Sequence, residues 1–202
     1  MGKKIRNLLK RARILWLGPQ GTGKTALLNH LASPDLYTKI TSTHGLETPK
    51  IPSLGKAKIA VSDLSSSNKQ ADLVKQFRPT ILIVQIAIDE ESSEPWLREF
   101  LDKFVEVLIV NPEKVAELRR ILFIVAKADK VSEKVAEQNL SRISQVIDEH
   151  FKPVFDKRPK QVEILLCSLI QKQEYHTRRI MNYMMSGSQL DPITHRPAEG
   201  SL

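Results

Sequence analysis

Cysteine is almost missing from this chain of 202 residues, where Cys167 stands alone. A single cysteine excludes an internal disulfide and leads us to expect a reducing, cytoplasmic setting. One Cys with five scattered His also argues against a zinc centre. No apolar run approaches the roughly 18 residues that a bilayer span needs. The first residues are too basic, and too poor in apolar side chains, for a secretory leader. Acidic residues are absent from residues 1–13, which instead carry Lys3, Lys4, Arg6, Lys10, Arg11 and Arg13. Those six cations account for most of the net charge of +8 and leave +2 for everything else. A body so close to neutral is not expected to present a broad nucleic-acid-binding face.

What is present reads as a soluble globular chain, 41% hydrophobic and 27% charged. Compact apolar runs at residues 14–17, 81–88 and 121–125 have the look of strands buried on both faces. Weaker strands are expected near 47–51, at 58–61 and at 162–166. Helical patterns fall at 26–31, 71–77, 94–109, 112–119, 132–151 and 172–185, with a polar turn at 65–68 and an insertion-like helical stretch at 94–118. Residues 35–55 read as a long loop. Strands alternating with helices predict an α/β fold, a mainly parallel sheet of about six strands covered on both faces. We divide the chain into a basic arm or amphipathic helix at 1–12, a nucleotide-binding domain at 13–185 and a tail without periodicity at 186–202.

The sharpest motif is Gly18-Pro19-Gln20-Gly21-Thr22-Gly23-Lys24-Thr25, which satisfies G-x-x-x-x-G-K-[ST]. Glycines let backbone N–H groups converge on phosphate oxygens, Lys24 supplies a cation for the outer phosphates, and the Thr25 hydroxyl suits Mg²⁺. A helix begins at once, so its positive dipole end adds to the site. The expected nucleotide contacts are Gly21, Thr22, Gly23, Lys24, Thr25 and Ala26. Asp129, at a strand end, can accept two hydrogen bonds from the ring N–H and amino group of guanine, a donor pair that adenine lacks. Lys127 can lay its stem along the base and brace the loop.

Residues 13–25 resemble the first strand and phosphate loop of Arf-like small GTPases. Thr43-His44-Gly45 is similar to their T-x-G switch segment, Asp63 falls at their D-x-x-G aspartate, Ala126-Lys127-Ala128-Asp129 resembles N-K-x-D, and Cys167-Ser168-Leu169 sits at S-A-K. The resemblance runs over roughly residues 11–185. It implies the P-loop small-GTPase fold, GTP/GDP and Mg²⁺ as ligands, and Thr43 closing with Thr25 on the metal. It also adds Asp63, Lys127 and Ser168 to the nucleotide site, and implies effector or regulatory proteins at the switch loops.

Several positions depart from the family pattern. Ser66 replaces the glycine of D-x-x-G, Ser67 stands at the water-positioning glutamine, Ala126 replaces asparagine, and Leu169 departs from S-A-K. Gln70 and Gln20 are the other glutamines near enough in sequence to matter. No side chain is assigned a catalytic role, and hydrolysis is expected to be very slow. The reading is a guanine-nucleotide switch. The alternatives are a pseudo-GTPase interaction module that holds GTP without turnover and, behind it, an ATP-using phosphate-loop protein. The six cations of the arm can attract an anionic membrane, each contributing about 1 kcal/mol near its surface. Gly2 is placed for myristoylation, but Arg6 stands where that motif wants Ser or Thr, and no prenylation box is found. If the arm acts this way, the full chain will co-sediment with anionic liposomes more than a chain lacking residues 1–10, and equal pelleting would refute it.

Overall fold

The computed structural model describes residues 12–32, 46–47, 58–62, 64, 66–157, 161–167, 179–180 and 183–184. The basic arm, the tail from 186, Thr43, Asp63 and Ser168 lie outside the described residues. Six strands form one sheet: β1 (Arg13–Leu17), β2 (Leu46–Glu47), β3 (Lys58–Ser62), β4 (Ile81–Ala87), β5 (Arg120–Ala126) and β6 (Gln161–Leu166), in the order β2-β3-β1-β4-β5-β6. Only β2 runs antiparallel, against β3; the other pairings are parallel. The mainly parallel α/β sheet read from the sequence is therefore the one observed.

Parallel neighbours need crossovers, and the helices supply them. These are α1 (Lys24–Ala32), α2 (Ser67–Phe77), α3 (Ser93–Val110), α4 (Pro112–Val115) and α5 (Glu133–Phe151). The stretch read as insertion-like is instead the ordinary connection between β4 and β5. Its helix α3 buries Trp96, Leu97, Phe100, Leu101, Phe104, Val107 and Leu108, so the segment belongs to the core. The helical reading of 112–119 contracts to the single turn of α4, after which the chain enters β5 at Arg120. Helix α2 starts four residues earlier than its apolar pattern, inside the segment read as a polar turn. Ser66 supplies the reason: its side chain accepts from the Lys69 N–H and caps the first turn.

Side chains of β1 alternate between two cores, as the strand period requires. Ile14 and Trp16 join Leu27, Leu28 and Leu31 of α1, together with Ile180, Tyr183 and Met184. Leu15 and Leu17 face the larger cluster with α2, α3 and α5. The residues Arg179, Ile180, Tyr183 and Met184 are helical, within the stretch read as the last helix. That segment is anchored by the Tyr183 hydroxyl, which donates to the Ile121 carbonyl at 2.8 Å, and by Arg120, which donates to the Tyr183 carbonyl at 2.8 Å.

The larger core is organised on aromatic rings. Trp96 stacks on Phe100 at 5.4 Å, Phe100 on Phe104 at 5.7 Å, and Phe104 meets Phe151 of α5 edge-on at 6.2 Å. Phe104 thus joins two helices. Truncating Phe104 to Ala is expected to cost about 3–5 kcal/mol in denaturant unfolding, and a loss below about 1 kcal/mol would show that α3 and α5 are held by something else.

Candidate functional site

In an open sheet of parallel strands, ligands bind beyond the carboxyl ends, where the strand order reverses. Here β1 lies between β3 and β4, and the segment from Gly18 to Gly23 leaves β1 at that place and leads into α1. Three glycines permit the turn, with φ of 148° at Gly18, 84° at Gly21 and 88° at Gly23. Gly18 has a second reason to be glycine: a Cβ there would lie 1.9 Å from the Gln85 carbonyl oxygen. The loop starts pressed against β4, and no other residue fits.

Lys24 opens α1 and is only 2% exposed. Its ammonium turns back into the loop and donates to the Gly18 carbonyl at 2.8 Å, the Pro19 carbonyl at 2.6 Å and the Thr22 hydroxyl at 3.4 Å. A buried cation needs such acceptors, and they hold the charge at the centre of the loop. The first turn of α1 contains no acidic residue, so its positive end meets no carboxylate of its own. Thr25 and Ala26 follow on the same turn. Gln20 is exposed at the loop's tip.

Two side chains that the motif does not include fix this loop. Gln85, in the middle of β4 and fully buried, donates to the Thr22 carbonyl at 2.7 Å and accepts from the Trp16 indole at 3.0 Å. Gln70, in the first turn of α2 and fully buried, accepts from the Gly18 N–H at 2.8 Å and donates to the Gly18 carbonyl at 3.0 Å. Its second amide hydrogen goes to the Leu64 carbonyl. Gln70 therefore has no hydrogen left to hold a water. The Ser67 hydroxyl, at the position of the family's water-positioning glutamine, is buried and has no hydrogen-bond partner among the described residues.

The carboxyl ends of β4, β5 and β6 supply the other side of the site. Lys127, at φ 62°, turns the chain out of β5 into a short 3₁₀ turn, Ala128–Lys130. Its ammonium is turned toward the acidic residues just past β4. It pairs with Glu90 at 2.6 Å and stands 3.6 Å from Asp89. Burial lowers the Lys127 pKa, but the bond to Glu90 and the charges of Glu90 and Asp89 outweigh it, and the net shift is upward. Glu90 lies beside the loop, with one oxygen 3.6 Å from where a Cβ on Gly21 would be. Lys127 and Glu90 thus form an ion pair beside the loop.

The Ala128 N–H donates to the Cys167 carbonyl at 3.2 Å, and Cys167 N–H to Val125 at 2.8 Å. Burial, and then the charge of Asp129, push the Cys167 thiol up to about 12. The Ala128–Cys167 bond ties the turn that carries Asp129 to the end of β6. Lys127, Asp129 and the loop therefore share one rim of the sheet. No helix among the described residues is long and apolar enough to cross a membrane.

The neighbours missed in the sequence are Gln85, Trp16, Asp89 and Glu90. Gln85 did leave a signal. It is the lone polar residue in the apolar run 81–88, and a buried amide there must have partners. Replacing Gln85 with Leu would strand the Thr22 carbonyl and the Trp16 indole, at about 1–3 kcal/mol for each unsatisfied group. We expect the Gln85→Leu chain to lose stability in denaturant titration. An unchanged midpoint and slope would mean that Gln85 does not hold the loop.

No family model matches the chain. Among solved structures it is similar to an ADP-ribosylation-factor-like GTP-binding protein from Encephalitozoon cuniculi, the small COPII coat GTPase SAR1 in complex with GDP. The TM-score is 0.55 at 16% sequence identity, with 92% of this chain and 86% of that chain covered. At that identity the likeness speaks for the fold alone, and the fold is that of the phosphate-loop small GTPases.

Proposed function

We propose that this chain binds guanine nucleotide with Mg²⁺ and acts as a small-GTPase-type switch whose own hydrolysis is very slow. The observation that carries the reading is Lys24, buried at the centre of a loop whose glycines take φ values open to glycine alone. Such backbone offers converging N–H groups, and the start of α1 adds positive potential, so the residues present fit a polyphosphate. In this reading Gly21, Thr22, Gly23, Lys24, Thr25 and Ala26 hold the phosphates, with Asp63 nearby. Thr25 and Thr43 hold the metal, which neutralises phosphate charge when bound. Asp129 takes the guanine edge, with Lys127 and Ser168 around it. Effector or regulatory proteins at the switch loops, and an anionic membrane at residues 1–12, complete the proposal.

Slow turnover follows from the side chains beside the loop. In-line attack needs a group that orients water. Gln70 has spent both amide hydrogens on backbone, Gln20 points into solvent, and Ser67 is too short. The same features favour a second reading, in which the nucleotide is held without turnover as part of an interaction module.

Calorimetry with Mg·GTP tests the binding claim: Lys24→Ala should lose most of the affinity, and an unchanged affinity would overturn it. GTP should displace bound nucleotide better than ATP, by less than a complete N-K-x-D would give, and equal displacement would refute the role of Asp129. Single-turnover hydrolysis of bound GTP is expected at or below the order of 10⁻⁴ s⁻¹. A rate of roughly 10⁻² s⁻¹ or more without a partner would mean that another residue positions the water.

A further inference from the structure

Gln70 makes a set of bonds that the nucleotide reading does not require. Its amide pairs with both backbone groups of Gly18, as two strands pair, and adds a bond to Leu64, so that all three partners are main-chain groups. The side chain is fully buried. The Gly18 carbonyl that it holds also accepts the Lys24 ammonium at 2.8 Å. One oxygen thus links the phosphate loop's cation to the first turn of α2. Ser66, where a switching segment needs glycine for backbone freedom, sits at φ −82° and ψ 118° and caps the helix.

A switch segment works by exchanging protein contacts for contacts with the third phosphate, and so it must come loose when that phosphate is absent. The bonds of Gln70 run from protein to protein, and opening them would strand the buried Gly18 N–H. We propose that Gln70 is a positioning residue that ties the entry to α2 onto the phosphate loop in both the diphosphate and triphosphate states. This face of the molecule then does not register the third phosphate. The proposal rests on the nucleotide reading of the loop. Any sensing of nucleotide state falls to segments other than α2, and a partner docking on α2 meets the same surface throughout the cycle.

Hydrogen exchange on the full chain tests this in peptides covering Ser66–Phe77. Chain loaded with Mg·GDP and chain loaded with a Mg-bound non-hydrolysable GTP analogue should exchange within about threefold of each other. A larger difference overturns the proposal. Gln70→Leu and Gln70→Glu remove the donors, and each should exchange about tenfold faster or more in both states. Wild-type exchange in both variants overturns it as well. Should the variants fail to fold, the wild-type comparison decides alone. If neither nucleotide binds, the nucleotide reading falls, and exchange of the variants without ligand decides whether Gln70 is the tether.

Discussion

The carbonyl oxygen of Gly18 is where this structure's requirements converge. It accepts the Lys24 ammonium at 2.8 Å and the Gln70 amide at 3.0 Å, which uses both of its lone pairs. Behind it, the backbone of β4 approaches so closely that even a methyl group at Gly18 would strike the Gln85 carbonyl. A cation brought out of water needs several oxygens around it, and side-chain carboxylates there would compete with phosphate for the same charge. Neutral main-chain carbonyls solve both problems, provided that the backbone is held still. Gln70 and Gln85, one from a helix and one from a strand, hold it from opposite ends of the loop.

This division explains what the sequence could and could not announce. The apolar runs at β1, β4 and β5 are legible because strands buried on both faces carry no polar alternation, and the phosphate loop is legible because its spacing admits few substitutes. The mainly parallel direction of the strands follows from the same alternation of strand and helix. The start of α2 was missed because its first turn, Ser67-Asn68-Lys69-Gln70, has no apolar face of its own. Its cap, Ser66, and its buried amide do the ordering; Ser66 reads as a turn residue in isolation, and Gln70 falls between that turn and the apolar pattern. The partners of Gln85, and Gly18 for Gln70, lie far away in the chain, so no local pattern encodes them. The ion pair of Lys127 is illegible for a related reason: the carboxylates that capture it come from the end of a different strand.

That capture has an electrostatic side. Asp89 and Glu90 bring two negative charges to the rim where an anion is expected, with Glu90 close to Gly21. Lys127 answers one of them at short range, and the two lysines divide the work. Lys24 faces the loop's interior with no acid in its helix turn, while Lys127 screens the acids from it. A rim arranged in this way is sensitive to losing either partner of the Lys127–Glu90 pair, since an unmatched Glu90 would repel phosphate and an unmatched Lys127 would lose its direction.

Trp16 makes the loop visible to light. Its indole N–H is bonded to Gln85 at 3.0 Å, and the same glutamine holds the Thr22 carbonyl at 2.7 Å, so the ring is two hydrogen bonds away from the phosphate loop and fully shielded from solvent. The other tryptophan, Trp96, stacks in the aromatic row of α3 with its indole nitrogen unpartnered. The two chromophores therefore sit in different surroundings, one hydrogen-bonded through Gln85 to the loop, the other stacked on Phe100. Any rearrangement that slackens the loop alters the hydrogen bonding of Trp16, which gives the chain its own optical gauge.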